Sequence, residues 1–127
     1  MTRIYLAGPM SGLPNLNFPL FNAEAARLRA LGYEVVNPAE INGGADELLA
    51  TAAMTPEQLL EHWRNCMRRD IPAMLTCTGV ALLPGWERSK GARLEVHIAE
   101  QFDMPVCMAS LYVQRVPNFS DVDWAAA

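Results

Sequence analysis

Residues 79–100 read GVALLPGWERSKGARLEVHIAE. The apolar run Val80-Ala81-Leu82-Leu83 predicts a fully buried strand, and Pro84-Gly85 stops it. A polar loop from Trp86 to Gly91 leads into an amphipathic helix with Leu94, Ile98 and Phe102 at helical spacing. Glu95 lies early in that helix, and Ile98, Ala99 and Phe102 place it on the same, inward face. An acid turned inward just beyond a strand's carboxyl end occupies the place where open α/β sheets bind their ligands.

The flanking chain repeats this alternation. Arg3 to Ala7 predicts a buried strand that Gly8-Pro9 ends, and Phe18, Phe21, Ala25 and Leu28 mark a helix from about Phe18 to Leu31 that Gly32 closes. Tyr33 to Val36 predicts a second strand, parallel to the first across a right-handed crossover. Residues 39–54 are weakly determined, with a break at Gly43-Gly44 and a short helix or flap after it. Thr55-Pro56-Glu57-Gln58 is a helix start, with a Thr cap, Pro at the first position and Gln at the third. The helix runs through Leu59, Leu60, Trp63 and Met67 towards Ile71, where Pro72 predicts a kink or a broken last turn. Pro105 to Met108 predicts a fourth strand, with Leu111 to Val113 as an optional short fifth. The fold expected is α/β: a three-layer sandwich around a flavodoxin-like parallel sheet of four to five strands, order 2-1-3-4(-5). One domain spans residues 1–113. The tail, 114–127, has no period, and its Phe119 and Trp124 suggest docking, for example on a partner subunit.

Composition narrows the functional classes. At 127 residues the chain makes one core. A net charge of −4 without a Lys/Arg cluster disfavours polymeric nucleic acid, and no apolar run approaches a membrane span. The first strand begins too early for a signal peptide, and Cys66, Cys77 and Cys107 form no CxxC pair. A cytoplasmic protein with reduced thiols is expected. His62 and His97 have no companions at metal spacing, so neither a metal nor a cofactor is expected.

Glu95 is the first candidate for chemistry, against the plain alternative of an acid placed in a helix dipole. Asp70 is the second. It follows Arg68-Arg69, as a solvated helix end would, yet shares a helical face with Trp63, Met67 and Met74. The loop Gly8-Pro9-Met10-Ser11-Gly12, with Ser89 and Gly91, supplies small residues at two strand-to-helix turns. Their backbone N–H groups suit an anion, although each alone reads as ordinary turn chemistry. Gly8-x-x-x-Gly12 is not a phosphate fingerprint. Trp86 suits stacking on a flat ring or covering the core edge, and Tyr5 by itself reads as core.

Ile4-Tyr5-Leu6-Ala7-Gly8-Pro9, Asp70 and Ser89-x-Gly91-x-x-x-Glu95 together resemble the nucleoside 2-deoxyribosyltransferase superfamily, which includes 2′-deoxynucleoside 5′-monophosphate N-glycosidases. The string LPGWERSKGARLE looks closest to small phage and bacterial proteins of the DUF4406 type. The resemblance implies a covalent glycosyl ester on Glu95, with Asp70 orienting the sugar or managing the proton and Tyr5 in the site. It also implies Gly8, Gly12, Ser89 and Gly91 around a 5′-phosphate. The chain departs from the pattern where Ser11 replaces a basic residue of the monophosphate hydrolases, leaving Arg88, Lys90 or Arg93 to supply the cation. The expected partner is a nucleoside or nucleoside monophosphate, the expected assembly a homodimer or larger. A helix N-terminus is expected to keep the Glu95 nucleophile ionised. The rivals are a non-catalytic nucleotide-binding module and a structural interaction protein of phage origin.

Overall fold

The computed structural model describes residues 2–43 and 50–113. Along the chain come β1 (Arg3–Ala7), α1 (Phe18–Ala30), β2 (Glu34–Val36), α2 (Pro38–Ile41), α3 (Pro56–Met74), β3 (Gly79–Leu82), α4 (Lys90–Gln101) and β4 (Val106–Met108). The strands form one sheet in the order β2-β1-β3-β4, every neighbouring pair parallel. This is the flavodoxin-like three-layer sandwich the sequence predicts.

Side chains alternate across β1 and β3, and that alternation builds two cores. Ile4, Leu6, Ala81 and Leu83 pack with Phe18, Phe21, Ala25 and Leu28 of α1 on one face. Tyr5, Ala7, Val80 and Leu82 point the other way, towards Met74 of α3 and Ala92, Val96 and Ala99 of α4. Tyr5 pairs with Val36 on one side and Val80 on the other, so it sits mid-sheet and fully buried. The face it shares with α3 and α4 carries the candidate site.

The start of α3 is a complete capping box. Thr55 accepts from the Gln58 N–H at 3.2 Å, and Gln58 accepts from the Thr55 N–H at 2.8 Å. The helix does not break at Pro72 as expected, but carries on to Met74. Proline costs a helix the bond its N–H would make, and near the end of a long helix packed on a core that single loss is borne.

One further expectation fails for packing reasons, and one optional element is settled by them. The inward face of α4 is Gly91, Ala92, Glu95, Val96 and Ala99, while Leu94 and Ile98 flank it and Phe102, past the helix end, is 62% exposed. Small residues are what let the helix lie close to the sheet and to α3. No fifth strand forms among the described residues: after β4 the chain makes a tight turn over Ala109–Leu111. Arg27 donates to the carbonyls of Ala109 (2.7 Å) and Tyr112 (2.8 Å), and Tyr112 packs edge-on against Tyr33. Carbonyls held by a guanidinium are drawn towards α1 and away from a sheet ladder. Phe119 and Trp124 lie outside the described residues, as does most of the segment after Gly43. No helix among the described residues is long and apolar enough to cross a membrane.

Thr55→Ala removes the side-chain half of the capping box and is expected to cost about 1 kcal/mol. A chemical denaturation series reads this as a lower midpoint at unchanged slope.

Candidate functional site

Strand β1 ends at Ala7 and β3 at Leu82, side by side, and the loops that follow diverge to opposite layers. Between them opens a cavity of about 650 Å³. It is floored by Tyr5, rimmed by Gly8 to Gly12 and by Ser89 to Ala92, and walled by α3. Glu95, Asp70 and Tyr5 all line it, brought together from α4, α3 and β1. The volume lies in the range of small-molecule sites.

The three groups are buried deeply for polar residues. Tyr5 is 0% exposed, Asp70 3% and Glu95 4%. The Tyr5 hydroxyl donates to the Glu95 carboxyl. Asp70 accepts from the Asn42 amide at 2.9 Å. Asn42 is itself fixed: its amide nitrogen also donates to the Pro38 carbonyl (2.9 Å), and its oxygen accepts from Arg69 Nε (3.0 Å). That set of partners leaves only one orientation of the amide that satisfies every bond.

The small residues have reasons of their own. A Cβ on Gly8 would stand 2.7 Å from Leu83 Cβ, and one on Gly91 would stand 3.2 Å from Met67 Cε and 3.3 Å from Trp63 Nε1. Gly8 therefore lets the end of β1 lie against Leu83, and Gly91 lets α4 cross close to α3. Both also expose backbone to the cavity. Ser89 caps α4, accepting from the Ala92 N–H at 3.1 Å, the ordinary cap role. Ser11 sits exposed at the rim with Pro9, Met10 and Gly12. Trp86 does not line the cavity. It packs, half-buried, against the core on the α3 and α4 face, and so covers the core edge. Of the three cations expected near an anion, Arg88 and Lys90 reach the cavity and Arg93 does not. Lys90 Nζ rests 4.1 Å from the centre of the Trp63 ring.

Several lining residues escaped the sequence reading. Asn42, the partner of Asp70, lay in the weakly determined segment. In the wall, Leu59, Leu60, Trp63 and Met67 read there as a helix stripe, His62 as a histidine without metal companions and Cys66 as a reduced core thiol. Among the described residues, no three His, Cys, Asp or Glu side chains are grouped to hold a metal ion.

Burial overturns the expectation that Glu95 is kept ionised. Loss of water raises its pKa from the ordinary 4.5 to about 8; the Tyr5 hydrogen bond opposes the rise and the Asp70 charge adds to it. Residue 95 stands in the second turn of α4, whereas the pull of a helix N-terminus fades within the first. The Tyr5 hydroxyl is pushed well above its ordinary value, first by burial and then by Glu95 and Asp70. At neutral pH the Glu95 carboxyl holds its proton.

The chain belongs to the DUF4406 family, described as a domain of unknown function, whose family model matches residues 2–108. The match runs from β1 to the end of β4 and takes in every residue that lines the cavity. No curated protein matches the chain.

Because the folded pKa of Glu95 lies above its unfolded value, its protonation stabilises the fold fully below about 4.5, and that stabilisation is lost as pH rises through about 8. Wild-type stability is expected to fall with pH in this window at a slope approaching ~1.4 kcal/mol per unit. Glu95→Gln, which mimics the protonated acid, is expected to flatten the slope. Parallel stability–pH curves for the two proteins would remove Glu95 as its source.

Proposed function

We propose that this DUF4406 family member cleaves the N-glycosidic bond of nucleosides or, preferentially, nucleoside 5′-monophosphates, with Glu95 as nucleophile. One observation carries the reading: two buried carboxyl groups and a buried tyrosine hydroxyl converge in an open cavity of about 650 Å³ at the switch point of a parallel sheet. A surface ion pair has no need of such a setting. Burying two acids together is costly unless they share a task.

The acid pair suits double displacement through an oxocarbenium-like transition state. The Asp70 charge opposes ionisation of Glu95, so the proton rests on Glu95 and the reactive form is the one in which Asp70 carries it. With that proton on Asp70, the Glu95 carboxylate attacks C1′ of the sugar. The C1′–N bond breaks, its electron pair leaves with the base, and Asp70 donates the proton the base requires. Water then attacks C1′ of the ester, Asp70 takes a proton from it, and the C1′–O bond to Glu95 breaks. The Tyr5 hydroxyl holds the attacking carboxyl in place, and Asn42 does the same for Asp70. Arg88 and Lys90 supply positive charge for a phosphate. Hydrolysis is favoured over base exchange, since the cavity opens to water.

A second reading draws on the protonation of Glu95. A carboxyl that keeps its proton at neutral pH donates a hydrogen bond well and attacks poorly, as suits a module that binds a nucleotide without cleaving it.

Incubation with a panel of deoxynucleoside and ribonucleoside monophosphates, with free base followed by chromatography, decides between them. The glycosidase reading predicts base release that Glu95→Ala lowers by at least about a thousandfold, a loss typical of an abolished nucleophile. It also predicts a rate that falls as pH rises through about 8, where the acid pair gives up the one proton that the leaving base requires. Absence of base release, with monophosphates raising the melting temperature, establishes the binding module instead.

A further inference from the structure

The α3 wall of the cavity carries a second group of reactive side chains. His62 and Cys66 stand one helical turn apart and both line the cavity. Cys66 Sγ lies 3.5 Å from His62 Nε2 and 3.6 Å from Arg69 Nη2. The Arg69 guanidinium is anchored beside the thiol because its Nε is bound to Asn42 at 3.0 Å. An imidazole that accepts a proton and a fixed cation that favours the resulting anion are what convert a thiol into a nucleophile.

We propose that Cys66 is a nucleophilic thiol and a covalent modification site, exchanging with small anionic disulfides that enter the cavity. His62 Nε2 takes the thiol proton. The thiolate attacks one sulfur of the disulfide, a new S–S bond to Cys66 forms, the old S–S bond breaks, and the other half leaves as a thiolate. No oxidant beyond the disulfide is consumed. Anionic disulfides are favoured because Arg88 and Lys90 line the same cavity. Among the described residues that line the cavity, the acids that oppose the thiolate are Asp70, one turn further along α3, and Glu95 across the cavity. Asp70 is already engaged by Asn42, and Glu95 holds its proton at neutral pH.

The other two thiols serve as internal references. Cys77 is buried, and burial pushes its thiol pKa up. Cys107 lies on β4, away from the cavity lining. The Arg3 guanidinium hydrogen-bonds the Cys77 thiol and favours its anion, but burial outweighs that effect. The inference draws on the cavity wall alone and stands whether or not the glycosidic reading does.

The test is to treat the reduced full-length chain with 5,5′-dithiobis(2-nitrobenzoate) at pH 7 and map the labelled cysteines by mass spectrometry over time. Cys66 is expected to react at least tenfold faster than Cys77 and Cys107, with a rate that falls as salt screens Arg88 and Lys90. His62→Gln is expected to slow labelling about tenfold at pH 7 yet leave it unchanged at pH 10, where an ordinary thiol ionises without help. A histidine that merely shaped the helix would not give that pH-selective loss. Equal labelling of the three thiols in the wild type, or labelling of Cys66 indifferent to His62→Gln at pH 7, overturns the proposal.

Discussion

The hydrogen bond from the Tyr5 hydroxyl to the Glu95 carboxyl joins the central strand to α4 beneath the cavity, and both partners are shut away from water. Burying an acid costs several kcal/mol unless the acid is paired or keeps its proton. Here it does both. The bond fixes where the carboxyl points, and the burial fixes its charge. Asp70, oriented by Asn42 and in turn by Arg69, then meets a neighbour that is neutral at rest. Without the buried pair, the cavity would lose the carboxyl that its floor holds against the central strand.

Much of this arrangement is legible in the sequence because it follows from period and punctuation. Strict alternation along Arg3 to Ala7 sends Tyr5 to the face opposite Ile4 and Leu6. The strand order brings the loop after Ala7 beside the loop after Leu82. Asp70 shares a helical face with Trp63 and Met67, and all of them line the cavity. The Thr55 cap depends only on residues within one turn, and it forms as read.

What the sequence hides depends on contacts between distant segments. A helical wheel favours the bulky stripe Leu94, Ile98 and Phe102, but tight packing on the sheet selects the small stripe one position away. The grip of Arg27 on two carbonyls that end β4's course cannot be inferred from either segment alone. Asn15, Leu16 and Asn17 adopt φ of 52°, 52° and 59°, a run of left-handed backbone that no residue pattern signals. Such geometry costs roughly 1–2 kcal/mol per residue. It is held by Leu16 packing on the α1 core and by Asn17 donating to the Pro9 carbonyl at 2.9 Å. Glycine is the opposite case: Gly8 and Gly91 are conspicuous in the sequence as anion loops, yet the close approach of Leu83 and Met67 explains them first.

The charge state of Glu95 shows why location and reactivity must be argued separately. Its place at the start of a helix suggests an ionised group; the water it loses there decides the opposite. A carbon-13 NMR titration of the Glu95 side-chain carboxyl, in wild type and in Asp70→Asn, measures that balance at the residue itself. A midpoint near 8, shifted downward when the Asp70 charge is removed, is the result this account predicts. A midpoint near the ordinary 4.5 that ignores the substitution would contradict it, because the carboxyl would then be neither desolvated nor coupled to its neighbour.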